Sequence, residues 1–424
     1  MQAKGGGTAE HVLTPLGYVT AVVLLAVFVV LNYFGVKLFA RVNNVLVWWK
    51  LAVIALVIIV FLITALGTTN MGSPANFTSH GFAPEGIGGV FVAISTAGVV
   101  FSYGGFRQSI ELAGESRNPK RNVPLAVIGS ITITAVVYAL LQVAFTLGVP
   151  QHLLGPGGWE KLSFTNDAGP LAAIATIAGL GWLALLLYVD AVVSPLDTAL
   201  ITTAATARVT YALARNRNAP EVLARTNRHG VPWVGLIVTF VGGLVLLLPF
   251  PSWQQLAGFI TSSTVISFGV GPLAVGALRR AEPTRDRPFR LPFGDVIPLL
   301  AFYAANMIVY WAGWETNSKL FVIVLIGYLL LLVLRIVARI RGTDQRLDLW
   351  IGAVWLLPWL AAMALISWLC DPSTHPDLFP WVFLINAGVA AGIYFLAMRF
   401  RLPKDRIDEH IAEAVREAGD THAA

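Results

Sequence analysis

Apolar runs long enough to cross a bilayer recur along nearly the whole chain, and they decide what it can fold into. A hydrocarbon core about 30 Å thick is crossed by ~20 helical residues rising about 1.5 Å each. Such runs fall at 15–38, 44–66, 87–113, 122–149, 171–213, 231–250, 254–278, 295–314, 318–340, 349–370 and 380–399. Lipid offers the backbone no hydrogen-bond partners, so each run must satisfy its own amides as a helix. The expectation is an all-α polytopic membrane protein with about eleven transmembrane helices. Composition agrees: at 56% hydrophobic and 12% charged residues, the 424-residue chain cannot cover a soluble globule with polar surface. The fifth run is too long for one straight crossing. Gly179 and Gly181 are expected to divide it into a short surface helix and a long tilted span ending near Arg215.

The charges orient these spans. The net charge of +6 does not indicate nucleic acid, because the basic residues alternate with apolar blocks and build no continuous basic face. The partner they imply is the lipid bilayer. Of 29 Lys and Arg residues, 24 fall in alternate loops on one side: Lys37, Arg41, Arg117, Lys120, Arg121 and the groups near 208–228, 279–290, 335–346 and 399–416. Lys4, Lys161 and Lys319 are on the other side. Cytoplasmic loops retain Lys and Arg, so the C-terminus, with a polar tail at 401–424, is expected in the cytoplasm of a multi-pass cell-membrane protein. Eleven crossings then put Met1 outside, whereas an odd number of further upstream helices would restore a cytoplasmic start. A truncated chain is therefore expected. The first residues, MQAKGGGTAEHVLTPLG, lack the layout of a signal peptide. Cys370 is the single cysteine, which excludes an intrachain disulfide and a cysteine metal cluster. No cofactor or metal is expected. HExxH, a catalytic cysteine pairing and a phosphate-cradling glycine loop are missing too, so an enzyme is not expected.

The third run, GVFVAISTAGVVFSYGGFRQSIELAGE, sets Gly104 and Gly105 beside Ser102 and Tyr103. Each glycine costs a helix interior about 1 kcal/mol relative to Ala, so the pair marks a place to kink or unwind. Close packing of helices through small residues is the alternative. Arg107 follows, with Glu111 one turn on, where the two can pair. An Arg inside a span costs at least ~2.5–3.5 kcal/mol, so it faces a partner or a cavity. One such use is recognition of a carboxylate, helped by the amides of the half-helix that starts near Phe106. Broken helices aimed at a midplane substrate are how secondary transporters are built.

Lys50 lies nine residues past Arg41, about 13 Å along the helix axis and too deep to snorkel. Burial favours a neutral amine, which suits a group that loads and releases a proton; the alternative is a Lys fixed by backbone carbonyls as a permanent cation. In the fifth run Asp190 and Asp197 are seven residues apart, roughly on one helix face, with Ser194 between them and Pro195 removing a backbone donor. They can act as proton carriers, as partners of Lys50 or Arg107, or as structural counter-ions.

The stretch FSYGGFRQSIELAGESRNPKRNVPLAVIGS resembles the sixth helix and following loop of the amino acid–polyamine–organocation (APC) superfamily of permeases. NYFGVKLFARVNNVLVWWKL is similar to that family's fourth and fifth helices, and ARVTYALARNRNAPEVLARTNRHGVPWVGL to its eighth helix and loop. The resemblance runs to about residue 340, and the last two spans match subgroups with fourteen helices similar to aspartate–proton symporters. It implies a leucine-transporter-like fold of 5+5 inverted repeats lacking its first three helices. A single transporter domain at 1–400 would comprise the end of the first repeat at 15–66, the second repeat at 87–280 and four additional helices at 295–400. It also implies that Ser102, Tyr103, Gly104 and Gly105 form half of the substrate site and that Lys50 replaces a sodium site as in proton-coupled members; the residues themselves add Arg107 as a substrate-binding candidate and Asp190, Asp197 and Glu111 as candidates for proton coupling. An acid commonly follows GF in this motif, and Arg107 stands there instead, which favours acidic amino acids over cationic ones. The function implied is secondary active transport of amino acids by proton symport, with an exchanger or a non-transporting remnant as alternatives.

Overall fold

A computed structural model describes residues 2–4, 10–34, 36–67, 72–79, 81, 86–96, 98–111, 116, 118–155, 158–162, 164, 169–215, 219–247, 253–287, 289–340, 352–371, 374–375, 378–409 and 411–412. Apart from a two-stranded ribbon, β1 (Gln2–Lys4) with β2 (Glu10–Val12), the regular structure of these residues is helical. The helices are α1 (Pro15–Tyr33), α2 (Val36–Gly67), α3 (Gly86–Thr96), α4 (Val99–Ser102), α5 (Arg107–Glu111), α6 (Pro119–Gly148), α7 (Gln151–Leu154), α8 (Pro170–Ile177), α9 (Gly181–Arg215), α10 (Trp233–Leu247), α11 (Trp253–Ala281), α12 (Val296–Trp311), α13 (Gly313–Ile340), α14 (Leu356–Leu369) and α15 (Phe379–Arg399), with short 3₁₀ turns between some of them. Seven are long and apolar enough to cross a membrane, and the bent pair at 86–106 makes an eighth. The three shorter apolar helices, α10, α12 and α14, occupy the remaining expected spans. The all-α polytopic architecture is therefore present.

Two local expectations are corrected and a third is extended. Lys37 and Arg41 do not sit in a loop: α1 ends at Tyr33 and α2 runs unbroken from Val36. Gly179, at φ 74, does divide the fifth run, but α8 is no surface helix. Its Ala172, Ala173, Ile174 and Ala175 are buried, because small side chains let α9 approach closely. The third run is interrupted twice: it bends by 45° between Gly86–Ser95 and Val99–Phe106, and at the glycine pair the α-helix gives way to a 3₁₀ turn between α4 and α5. Gly98 takes the left-handed conformation at the bend (φ 79), which a β-carbon would disfavour, while Gly104–Phe106 form a 3₁₀ turn that keeps its local hydrogen bonds.

The chain divides into two compact units. One holds residues 13–86 and 105–249, and the other 87–104 and 250–424, with residues 1–12 shared between them. In lipid, apolar surface gains nothing by leaving water, so helix association rests on packing and polar links. The first unit packs Val53, Val57 and Phe61 of α2 against Ala144 of α6, Ile174 of α8 and Leu183 of α9. Gly235 of α10 lets that helix approach α9 so closely that a β-carbon would come within 2.7 Å of the Ala207 carbonyl oxygen. In the second unit Phe91 stacks on Trp311 at 4.5 Å, and Ser95 donates to the Ile308 carbonyl at 2.7 Å, fixing α3 on α12. Phe302, Tyr310, Trp359 and Tyr394 fill that unit's core.

Candidate functional site

The first unit brings Lys50 and Asp197 together. Lys50 Nζ lies 2.6 Å from Asp197 Oδ2, and the Asp197 side chain is 1% exposed against 23% for Lys50. Helix geometry makes this meeting: α2 and α9 cross where the apolar face of α2 (Val53, Val57) packs beside Lys50 one turn earlier. Two charges out of water carry a desolvation cost of several kcal/mol each, which mutual attraction offsets only at short range and with further hydrogen bonds. Lys50 has a second neighbour in Thr198 Oγ1 at 3.4 Å, and Thr198 donates back to the Ser194 carbonyl at 3.1 Å. Asp197 Oδ1 is buried and has no hydrogen-bond partner among the described residues. The site thus holds an ion pair with one carboxylate oxygen buried and, among the described residues, unsatisfied.

Asp190 is placed one step away. Its Oδ1 accepts from Trp49 Nε1 at 3.0 Å and from Ser194 Oγ at 2.7 Å. Neighbouring residues of α2, Trp49 and Lys50, are therefore held by two acids two turns apart on α9. Of the roles open to these acids, Asp197 is the partner of Lys50 and Asp190 binds neutral donors. Among the described residues, the partners of Lys50 are the side chains of Asp197 and Thr198, and no backbone carbonyl is among them. Asn32 of α1 adds a third link to α9, donating to Leu200 O at 3.2 Å and to Phe28 O at 2.9 Å. Trp49, Thr198 and Asn32 escaped the sequence reading. Their signals were adjacency to Lys50 and Asp197, and a lone amide in an apolar run.

The expected substrate residues lie at the end of the bent segment. Ser102 donates to Val99 O at 2.7 Å within its own helix, and Tyr103 caps α4. Among the described residues, no heavy atom would come within 4 Å of a β-carbon at Gly104 or Gly105, so close small-residue packing does not account for the pair. Arg107 opens α5, which packs on α6 and α9. The Glu111 side chain, and with it the expected pairing to Arg107, lies outside the described residues. The unit boundary falls between Gly104 and Gly105, so Ser102–Gly104 belong to one unit and Gly105 and Arg107 to the other.

Membrane-length apolar helices, two of them tied together by a Lys–Asp ion pair, define a multi-pass membrane protein. The chain belongs to the amino acid permease family, whose profile matches residues 6–398. That is a family of the APC superfamily, and its members are transporters, not enzymes. The chain is 33% identical over 359 residues to the glutamate/serine transporter AimA of Bacillus subtilis, covering 84% of this chain and 64% of that protein. It is 33% identical over 395 residues to the aspartate–proton symporter of the same organism, covering 92% of this chain and 74% of that protein. It is 28% identical to the branched-chain amino acid permease BcaP of B. subtilis over 72% of this chain and 62% of that one. The chain thus spans less than two thirds of the glutamate/serine transporter's length.

Proposed function

We propose that this protein moves amino acids, acidic ones in particular, across the cell membrane by proton symport, with its C-terminus in the cytoplasm. The observation that carries the reading is the Lys50–Asp197 pair, with the second Asp197 oxygen buried and without a hydrogen-bond partner among the described residues. A proton arriving at Asp197 Oδ1 neutralises the carboxylate, turns the ion pair into an ion–dipole contact and loosens α2 from α9. Its departure on the other side restores the pair. Asp190 positions Trp49, and through it the turn that carries Lys50. Glu111, one turn after Arg107, is a further proton-accepting group. Ser102, Tyr103, Gly104, Gly105 and Arg107 bind the substrate, with the Arg107 guanidinium matching a side-chain carboxylate. Names of two relatives, a glutamate/serine transporter and an aspartate–proton symporter, support an acidic substrate.

If the pair never opens, Lys50 is a fixed internal cation and the protein is an exchanger. Uptake of radiolabelled aspartate and glutamate into proteoliposomes separates the two. Symport gives accumulation under an inward proton gradient that a protonophore collapses, whereas exchange gives uptake indifferent to the gradient and dependent on internal amino acid.

A further inference from the structure

The segment joining α11 to α12 holds more arginine than its own fold uses. Arg279 donates to the Leu291 carbonyl at 2.8 Å and to the Gly294 carbonyl, and Arg287 donates to the carbonyls of Leu278 at 3.2 Å and Glu282 at 2.5 Å. Arg280 makes a two-pronged contact with Asp295 at 2.6 and 3.2 Å, and Tyr394 of α15 donates to the same carboxylate at 2.9 Å. These bonds tie the segment down and join it to the end of α15. Arg285 and Arg290 are exposed and have no hydrogen-bond or ion-pair partner among the described residues; the exposed Asp286 is the acid between them.

Aromatic side chains alternate with these arginines and point outward. Phe289 is 51% exposed, and Phe293 is 76% exposed. Phe293 is also the one non-glycine residue with positive φ (56°) among the described residues, a conformation that costs a bulky residue free energy and is kept here by the Arg279 bonds on either side of it. Leu278 and Val296 continue the apolar rim on the helix ends, and Arg399, Phe400 and Arg401 add to it from the end of α15. An arginine-rich rim with outward phenylalanines, at the ends of three packed membrane helices, matches the layer where acyl chains meet headgroups.

We propose that this rim is a binding surface for anionic phospholipid: Phe289 and Phe293 enter the acyl boundary, and Arg285 and Arg290 pair with headgroup phosphates. Zwitterionic headgroups lack the net charge that two unpartnered guanidinium groups select. Each arginine near an anionic surface is worth about fivefold in affinity. The proposal is independent of what the protein transports.

The test titrates the full chain in detergent with phosphatidylglycerol or phosphatidylcholine, counting bound lipid by native mass spectrometry. Phosphatidylglycerol is expected to bind at least tenfold more tightly, and Arg285→Gln with Arg290→Gln is expected to remove about 25-fold of that affinity. Equal binding of the two lipids, or an unchanged preference in the double variant, overturns the proposal. Millimolar inorganic phosphate should leave the lipid in place; displacement would mean a free-anion site and also overturn it. A second readout keeps both arginines: Phe293→Cys in a Cys370→Ala background, labelled with an environment-sensitive fluorophore and reconstituted in phosphatidylglycerol vesicles. Quenching by shallow spin-labelled lipid but not by aqueous iodide supports insertion, and the reverse pattern contradicts it.

Discussion

Asp197 accepts a contact from Lys50 at 2.6 Å through one carboxylate oxygen and buries the other, which has no hydrogen-bond partner among the described residues, so the side chain that links α2 to α9 is only half satisfied. A satisfied pair would be a rivet. A half-satisfied one is the feature on which the proposed coupling through Asp197 rests.

Breaking the pair from one side should cost more than removing it. Asp197→Leu alone strands a buried ammonium and Lys50→Met alone strands a carboxylate, each at about 3–5 kcal/mol, while the double replacement should recover most of the loss. Thermal unfolding of the four proteins in one detergent gives the coupling energy, and an additive double variant would refute the interaction.

Asp190 is expected to behave as an anchor. Asp190→Asn keeps a carbonyl oxygen for Trp49 Nε1 and Ser194 Oγ and should leave stability within about 0.5 kcal/mol, whereas Asp190→Ala strands the indole N–H and should cost about 1–3 kcal/mol. Gradient-driven uptake should survive in Asp190→Asn. Its loss with an unchanged melting temperature would make Asp190 a proton carrier.

Gly235→Ala places a β-carbon 2.7 Å from the Ala207 carbonyl oxygen, backbone that cannot swing aside. Overpacking of this kind should destabilise the α9–α10 contact by about 1–3 kcal/mol. A melting temperature equal to the parent's would show that the helices can move apart freely.

Cys370 is buried, and its carbonyl accepts from Tyr310 at 2.6 Å. Maleimide labelling of the folded protein should be at least tenfold slower than in denaturant, and equal rates would show that this end of α14 is open.

Much of this molecule was legible before any coordinates, and what was not has definite physical causes. Apolar run length located the membrane helices because lipid leaves the backbone no other solution. Periodicity could not tell that α8 is buried, since PLAAIATI is apolar on every side and only its neighbours decide which face is covered. The glycine pair marked one interruption, where the α-helix gives way to a 3₁₀ turn, but not the 45° bend, which falls at Gly98. A 3₁₀ turn absorbs two glycines without losing local hydrogen bonds, and sequence does not show which peptide turns left-handed. Lys50 and Asp197 each stood out as charges inside apolar runs. Their pairing is a tertiary fact, because the two residues lie 147 positions apart in the chain, and either acid was an eligible partner.

The most direct test of the proposed coupling role uses Asp197→Asn, which keeps an acceptor for Lys50 and removes the carboxylate. Reconstituted with aspartate on both sides, this variant should still exchange labelled for unlabelled substrate at a rate near the parent's. Under an inward proton gradient it should fail to accumulate substrate and show no proton entry on a lumenal dye. Accumulation at parental levels with accompanying proton entry would contradict the account.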